Sequence, residues 1–224
     1  MVQAVIFDMD GVMFDTERLS REIWEEVGGE FGVPDIAAFH PRLMGAKMEE
    51  IRSFLSEHCG PGFRAGDFLA ETGRRLDARL AAQGVPVKAG LRGLLEYLKK
   101  EGYLRAVASG TRRGKGMRYL KETGITGYFQ KIICGDMVKV GKPDPQIYLT
   151  VAAELGVKPA DCMVLEDSPN GCTAGYRAGM KTVMVPDQVR PDARLRSIVF
   201  ACVPSLREVV PLLERMRKEE GTAG

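Results

Sequence analysis

The chain has 224 residues, of which 45% are apolar, and this is enough for a substantial hydrophobic core. Its 32 basic and 30 acidic side chains leave a formal net charge of +2, which argues against a nucleic acid or an anionic membrane as partner and favours a small molecule. No secretory signal or membrane-spanning apolar run is visible, and the five cysteines lack metal-type spacing. We therefore expect a cytoplasmic globular protein with reduced thiols.

Residues 4–11 predict a buried strand that ends in two acids. The apolar part of the stretch is β-branched and aromatic and shows no polar alternation, as expected for a strand covered on both faces. Asp8 and Asp10 follow it directly, so they would lie at the carboxyl end of the strand, where open α/β sheets bind ligands. The same Asp-x-Asp-Gly pattern occurs in turns and in calcium loops, but residues 12–14 supply none of the further oxygen ligands that a calcium loop needs.

Residues 16–83 form a separate region by composition. They are rich in Arg, Glu, Ala and Leu, show no convincing strand, and carry apolar residues at helical spacing from Ile23 to Phe31. We therefore predict an inserted all-helical domain. His40 and His58 both fall in it, and because they lack metal-ligand spacing to each other they are interpreted as surface or packing residues.

After this insertion, strands alternate with helices. Short apolar runs predict strands at 104–108, 132–134, 162–165 and 182–185, and the leucines of residues 91–98 predict a helix with one apolar face. Asp144-Pro145 and Ser168-Pro169 each predict a helix N-cap with proline at the first helical position. Pro211 is expected to interrupt the last helix. This pattern predicts an α/β fold: a parallel sheet with helices on both faces.

Polar side chains follow the predicted strands where each one ends. Ser109 follows the second strand, Glu166 and Asp167 end the fourth, and Lys142 precedes a helix. Since the carboxyl ends of parallel strands share one edge, these residues should meet Asp8 and Asp10. Clustered carboxylates repel one another and need a cation, and an all-oxygen ligand set selects a hard ion such as Mg²⁺.

A magnesium site of this kind suits phosphate chemistry. We predict that Asp8 is the nucleophile and that Asp10 is the general acid and base. Ser109 and Lys142 would hold the phosphoryl oxygens. The predicted metal-holding residues are Asp8, Asp10, Asp167 and Glu166.

Four motifs in order make the chain resemble the haloacid dehalogenase superfamily of phosphotransferases. They are Phe7-Asp8-Met9-Asp10-Gly11, Ala108-Ser109-Gly110, Gly141-Lys142-Pro143-Asp144-Pro145 and Leu165-Glu166-Asp167-Ser168-Pro169-Asn170-Gly171. The resemblance implies a Rossmann-like core (residues 1–15 and 84–224), an all-helical cap domain (16–83), Mg²⁺ and a phospho-aspartate on the residue matching Asp8. The superfamily's dehalogenases usually lack the second aspartate, so Asp10 favours phosphate chemistry.

Within the superfamily, the chain looks like the branch of β-phosphoglucomutase and sugar phosphatases. Mutases of this branch carry a cap histidine where this chain has Ser20, which favours a phosphatase of a sugar phosphate or nucleoside monophosphate. A sugar-phosphate mutase is the alternative, and a non-catalytic phosphometabolite-binding regulator is a third possibility. Gly110 and the cap cations Arg18, Arg42 and Lys47 are expected to contact the small phosphorylated substrate. The protein is expected to be a monomer or a small homo-oligomer.

Overall fold

A computed structural model describes residues 1–44, 46 and 48–222 of the chain. Six parallel strands form one sheet in the order β3-β2-β1-β4-β5-β6. Their bounds are β1 Ala4–Phe7, β2 Leu104–Ser109, β3 Lys131–Cys134, β4 Cys162–Glu166, β5 Lys181–Met184 and β6 Ala201–Cys202. The α-helices are α1 Thr16–Glu30, α2 His40–Leu43, α3 Met48–His58, α4 Ala65–Gln83, α5 Leu91–Lys100, α6 Arg113–Glu122, α7 Gln146–Leu155, α8 Pro169–Arg177, α9 Ala193–Ile198 and α10 Val209–Thr222.

Strand β1 lies in the middle of the sheet and is fully buried, as its uninterrupted apolar sequence predicts. Ile6 faces one hydrophobic cluster and Phe7 faces the other, because successive side chains of a strand point to opposite faces. Phe7 pairs with Val107 of β2 and with Leu165 of β4. The carboxyl ends of these three strands are therefore level, and the residues that follow them share one edge of the sheet.

The inserted region is helical throughout its regular structure, as predicted. Helices α1 to α4 all fall within it, with a 3₁₀ turn at Pro34–Ala38, and the residues described there form no strand of the sheet. Aromatic side chains hold the helices together: the rings of Trp24 and Phe31 each meet that of Phe68 edge to face, at 5.1 and 5.7 Å.

Two chain segments connect the insertion to the sheet, and they run side by side. The backbone N–H of Asp15 donates to the carbonyl of Pro86 at 2.9 Å, and that of Lys88 donates to Met13 at 2.9 Å. The division of the chain at residues 15 and 84 into a core and a cap domain remains a prediction.

The structure also corrects the sequence analysis at several positions. Pro211 does not interrupt the last helix, because it is the third residue of α10, where a backbone N–H would have no partner within the helix. Helix α7 begins at Gln146, so Asp144 lies one residue too early to be its N-cap, although its Oδ1 accepts from the N–H of Gln146 at 2.9 Å. The Ser168 cap is confirmed, since its Oγ accepts from Gly171 at 3.0 Å. Helix α9 and strand β6 were not predicted.

None of the helices in the described ranges combines the length and the apolar character needed to cross a membrane.

Candidate active site

Asp8 and Lys142 form the centre of the site. Asp8 directly follows β1, and its N–H continues the ladder to Leu165 at 3.0 Å. The buried Lys142 ammonium donates to Asp8 Oδ1, to Glu166 Oε1 at 2.5 Å and to the carbonyl of Ala108 at 3.1 Å. Lys142 therefore bridges two carboxylates at the end of the central strand.

Burial and the neighbouring charges shift the pKa values of Asp8 and Lys142. Burial raises the pKa of Asp8 to about 8; Lys142 opposes this effect, whereas repulsion by Glu166 and Asp10 adds to it. Burial disfavours the Lys142 ammonium as well, but its two carboxylate partners outweigh burial and hold its pKa above the usual value. One ammonium thus faces more carboxylates than it can neutralise, and ionising all of them requires another positive charge.

Both carboxylate oxygens of Glu166 accept several hydrogen bonds. Its Oε1 accepts from Lys142 and from the Tyr148 hydroxyl, the latter at 2.8 Å. Its Oε2 accepts from the N–H groups of Asp167 and Ser168 and from the Ser168 hydroxyl, each at 3.0 Å. Glycine is needed at Gly171, since a Cβ there would lie 1.7 Å from Glu166 Oε1. Glu166 therefore fixes the position of Lys142, and its predicted role as a metal ligand remains a prediction.

The surroundings of the Asp167 carboxylate show whether the site suits a metal ion. Its Oδ2 is buried and has no hydrogen-bond partner among the described residues, and carboxylate oxygens of Asp8, Glu166 and Asp167 lie within 4.8 Å of one another. Gly11 leaves space for this carboxylate, because a Cβ on its backbone, with φ +79°, would lie 2.1 Å from Oδ2. A buried, unpartnered carboxylate oxygen beside two further carboxylates is a donor set that fits a hard cation such as Mg²⁺.

The carboxylate of Asp10 is fixed by two hydroxyl groups. The Thr16 hydroxyl, at the start of α1, donates to Oδ1 at 2.6 Å, and the Thr111 hydroxyl, just beyond β2, donates to Oδ2 at 2.5 Å. Ser109 is buried at the end of β2, and its Oγ accepts from the N–H of Thr111 at 3.1 Å. Asp10 is therefore oriented by both the sheet and the inserted helices.

These groups open into a cavity of about 670 Å³ between the strand ends and the inserted helices, a volume suited to a small metabolite. Its core side includes six of the residues predicted from the sequence: Asp8, Asp10, Ser109, Gly110, Lys142 and Asp167. Its helical side includes Glu17, Ser20, Trp24, His40, Glu49 and Leu76. Burial and repulsion by Asp10 and Asp8 raise the pKa of Glu17 to about 8.

Residues 2–179 match the family model of haloacid dehalogenase-like hydrolases. The chain belongs to this family.

Two curated relatives are similar over most of their length. A phosphorylated carbohydrates phosphatase from Thermotoga maritima is 34% identical over 185 residues, which cover 81% of this chain and 84% of that protein. A β-phosphoglucomutase from Bacillus subtilis is 32% identical over 192 residues, covering 82% and 83%. Among solved structures, a hydrolase of the same family from Deinococcus radiodurans, with bound phosphate and sodium, aligns with a TM-score of 0.76 at 29% identity and covers 96% of each chain.

Two of the cations expected to contact substrate do not reach the cavity of this haloacid dehalogenase-like hydrolase. Arg18 is exposed and pairs with Asp15 and Glu22, each at 2.6 Å. Arg42 is exposed and lies 5.5 Å from the ring centroid of Phe54. Neither side chain lines the cavity, and contact of Arg18 and Arg42 with a substrate stays a prediction. Lys47, the third predicted cation, lies outside the described residues.

Three residues that line or support the cavity were missed in the sequence analysis, and a fourth, His40, was interpreted there as a surface or packing residue and is indeed buried against Trp24. Thr16 and Thr111 hold Asp10, and the position of Thr111 two residues beyond Ser109 was the available signal. Glu17 and His40 line the cavity. The partner of His40, Ser20, is twenty residues away in the chain, so no local spacing points to the pair.

Proposed function

We propose that this chain is a Mg²⁺-dependent phosphatase that hydrolyses a small phosphorylated metabolite, a sugar phosphate or a nucleoside monophosphate, through a phospho-aspartate on Asp8. Its membership of the hydrolase family and its relationship to named phosphatases support the phosphoric monoester hydrolase class. The observation that carries the proposal is the Asp8 carboxylate, which contacts Lys142 on the floor of a cavity beside the unpartnered oxygen of Asp167.

Asp8 would act as the nucleophile. One of its carboxylate oxygens forms a bond to phosphorus as the ester O–P bond breaks, and the leaving oxygen takes a proton from Asp10. The Lys142 ammonium keeps Asp8 oriented and offsets negative charge as the phosphate approaches. When bound, Mg²⁺ supplies the additional positive charge, and Asp8 and Asp167 would hold it, with Asp10 and Glu166 as further predicted ligands.

Asp10 would then reverse its role. It takes a proton from a water molecule as that water attacks phosphorus, the bond to Asp8 breaks, and inorganic phosphate leaves. The two hydroxyls that donate to Asp10 fix the direction of its carboxylate, which lines the cavity. A protein that only binds a phosphometabolite has no need for this second, oriented acid.

The test is phosphate release from a panel of sugar phosphates, nucleoside monophosphates and small phosphorylated acids. Asp8→Asn keeps the shape of the side chain and removes the nucleophilic charge, so we expect phosphate release to be abolished with unchanged circular dichroism. Asp35→Asn is the matched control, because Asp35 is exposed and does not line the cavity. Release by Asp8→Asn at a rate near that of the wild type would refute the covalent mechanism.

A sugar-phosphate mutase is the second candidate, since one curated relative carries that name. Mutase turnover of β-glucose 1-phosphate produces glucose 6-phosphate, whereas a phosphatase releases inorganic phosphate. We expect phosphate release to dominate, because Ser20 is too short to engage Asp10 as a histidine would. Faster formation of glucose 6-phosphate in a coupled assay would select the mutase. The cytoplasmic location and the monomeric or small oligomeric state remain predictions.

A further inference from the structure

The Lys88 side chain lies where the two connecting segments meet the core. Its ammonium donates to Asp187 Oδ1 at 2.8 Å and lies 3.6 Å from Asp15 Oδ1. Asp15 ends the outgoing connection, Lys88 lies on the returning one, and Asp187 lies in the core loop that follows β5. One ammonium therefore joins three segments that are distant in sequence.

Asp15 does not have the usual role of an aspartate at the start of a helix. It directly precedes α1, yet its side chain makes no capping hydrogen bond. Instead, its Oδ2 accepts from Arg18 Nε at 2.6 Å, and its Oδ1 faces Lys88. Both carboxylate oxygens thus face cations, and ion pairs rather than a cap hold the start of α1.

The next residue links this ion pair to Asp10. Thr16 is only 3% exposed, and its hydroxyl donates to Asp10 Oδ1 at 2.6 Å. Because Thr16 directly follows Asp15 in the chain, a shift of the Asp15 backbone would move the hydroxyl that orients the Asp10 carboxylate. Lys88 therefore reaches the proposed general acid and base through two successive residues.

Partial burial distinguishes the Lys88 contacts from ordinary surface ion pairs. The side chains of Lys88 and Asp15 are 24% and 25% exposed, and that of Asp187 is 8% exposed. The pair of Lys131 and Glu154 has the same 2.8 Å distance as that of Lys88 and Asp187, but its side chains are 40% and 51% exposed. Water and salt screen a partly buried pair less, so the Lys88 contacts should hold their geometry more firmly.

We propose that Lys88 is a positioning residue for Asp10. It fixes the start of α1 and so keeps the Thr16 hydroxyl where it orients the Asp10 carboxylate. This role rests on the proposed phosphatase function, in which Asp10 gives a proton to the leaving oxygen and later takes one from water. Lys88 does not line the cavity, so it acts through these residues and not on the substrate.

The first experiment measures kcat for phosphate release from the best substrate of the panel. Lys88→Met removes the charge and keeps an unbranched side chain, so we expect kcat to fall about fivefold, as for loss of one ion pair. Lys88→Arg keeps the charge and should recover most of kcat. Lys131→Met is the matched control, because it breaks an ion pair of equal length at the amino end of β3, opposite the site, and it should keep the wild-type kcat.

The dependence on the leaving group separates the positioning of an acid from a general loss of structure. p-Nitrophenolate leaves phosphorus without a proton, whereas phenolate is a poorer leaving group and depends more on an acid. Lys88→Met should therefore lower kcat/KM for phenyl phosphate about threefold more than for p-nitrophenyl phosphate. Both esters carry the same ring, so a change in the helical wall of the cavity, where α1 places Glu17 and Ser20, would affect both alike.

A competing explanation is that Lys88 only neutralises Asp187, whose Oδ2 is buried without a partner among the described residues. The double variant Lys88→Met with Asp187→Asn removes both charges. If Lys88 positions Asp10, kcat stays low in the double variant, whereas recovery of kcat overturns the proposal. The double variant also takes the place of Lys88→Met if the single variant does not fold.

The outcomes distinguish this proposal from the one on which it rests. An unchanged kcat in Lys88→Met, an equal loss in Lys131→Met, or equal losses with the two aryl esters overturns the positioning role and leaves the phosphatase in place. If the wild type cleaves neither aryl ester, kcat for the best panel substrate in the single and double variants decides. Release of phosphate from no compound by the wild type overturns the phosphatase and the positioning role together.

Discussion

Protonation of the buried His40 should destabilise the protein in mild acid, and His40→Phe should remove this effect. In the folded protein the pKa of His40 is about 4, whereas an unfolded chain has the usual value near 6.5. Between these values the unfolded state binds a proton that the folded state does not. The free energy of unfolding therefore falls as pH decreases through this window, and the contribution is complete below pH 4.

The magnitude follows from the two pKa values. A folded pKa of about 4 against 6.5 in the unfolded chain corresponds to a loss of about 3 kcal/mol once the pH is below both, and to about 2 kcal/mol at pH 5. Because the pKa of Glu17 is near 8, its carboxyl group is uncharged at pH 5 and provides no counter-charge for the imidazolium. Other titrating groups are common to wild type and variant, so the difference between the two proteins isolates His40.

The assay is urea denaturation of wild type, His40→Phe and His58→Phe at pH 7.5 and pH 5. The wild type and His58→Phe, which both keep the buried imidazole, should lose about 2 kcal/mol more between these pH values than His40→Phe. A lower stability of His40→Phe at both pH values is compatible with this reasoning, because the hydrogen bond to Ser20 is lost at both. Equal pH dependence in wild type and His40→Phe would refute it and indicate an ionised Glu17 that stabilises the imidazolium.

The remaining predictions concern Asp10, the proposed metal site and Gly11. Asp10→Asn should let the phospho-enzyme form slowly from p-nitrophenyl phosphate and then persist, since the group proposed to activate water is gone. Mass spectrometry of the intact protein measures the added phosphate, and a mass without it would contradict this prediction. EDTA should abolish phosphate release, and Mg²⁺ should restore it better than Ca²⁺, whose larger and looser ligand shell holds the phosphate less tightly; equal rates with both ions would count against the site. Gly11→Ala should lower stability by about 1–3 kcal/mol and raise the Mg²⁺ concentration needed for activity, because its Cβ would lie 2.1 Å from Asp167 Oδ2 in a strained backbone conformation. Gly29→Ala, in a helix with open space around it, is the control and should not destabilise.

The clustering of polar residues at the strand ends was predictable, because in a parallel sheet the residues that follow each strand lie along one edge. Asp8, Ser109 and Glu166 each lie at or just beyond the end of a strand, and the pairing of Phe7 with Val107 and Leu165 makes those ends level. The strand assignments alone are therefore enough to predict that these side chains lie close together. The two-residue strand β6 escaped prediction because so short a segment carries no periodic signal.

The helical wall was less predictable, because which face of a helix meets a cavity depends on tertiary packing. Glu17 and Arg18 are neighbours in α1, yet Glu17 lines the cavity and Arg18 points to solvent and pairs with Asp15. Consecutive helical residues differ by about 100° in direction, so the sequence alone does not tell which of two neighbouring residues lines the cavity. The contact of His40 with Ser20 was not predicted for a related reason: it joins two helices and has no signal in the local sequence.

Helix α1 connects Asp10, the proposed general acid and base, to the helical side of the cavity. Thr16, its first residue, donates to Asp10, while Glu17 and Ser20, within the next turn, line the cavity beside His40. Any displacement of the start of this helix would therefore change both the orientation of the Asp10 carboxylate and the shape of the wall. Kcat and KM need to be measured separately for variants of this wall, because a change at Glu17 or Ser20 that shifts Thr16 would alter proton transfer by Asp10 as well as recognition of the substrate.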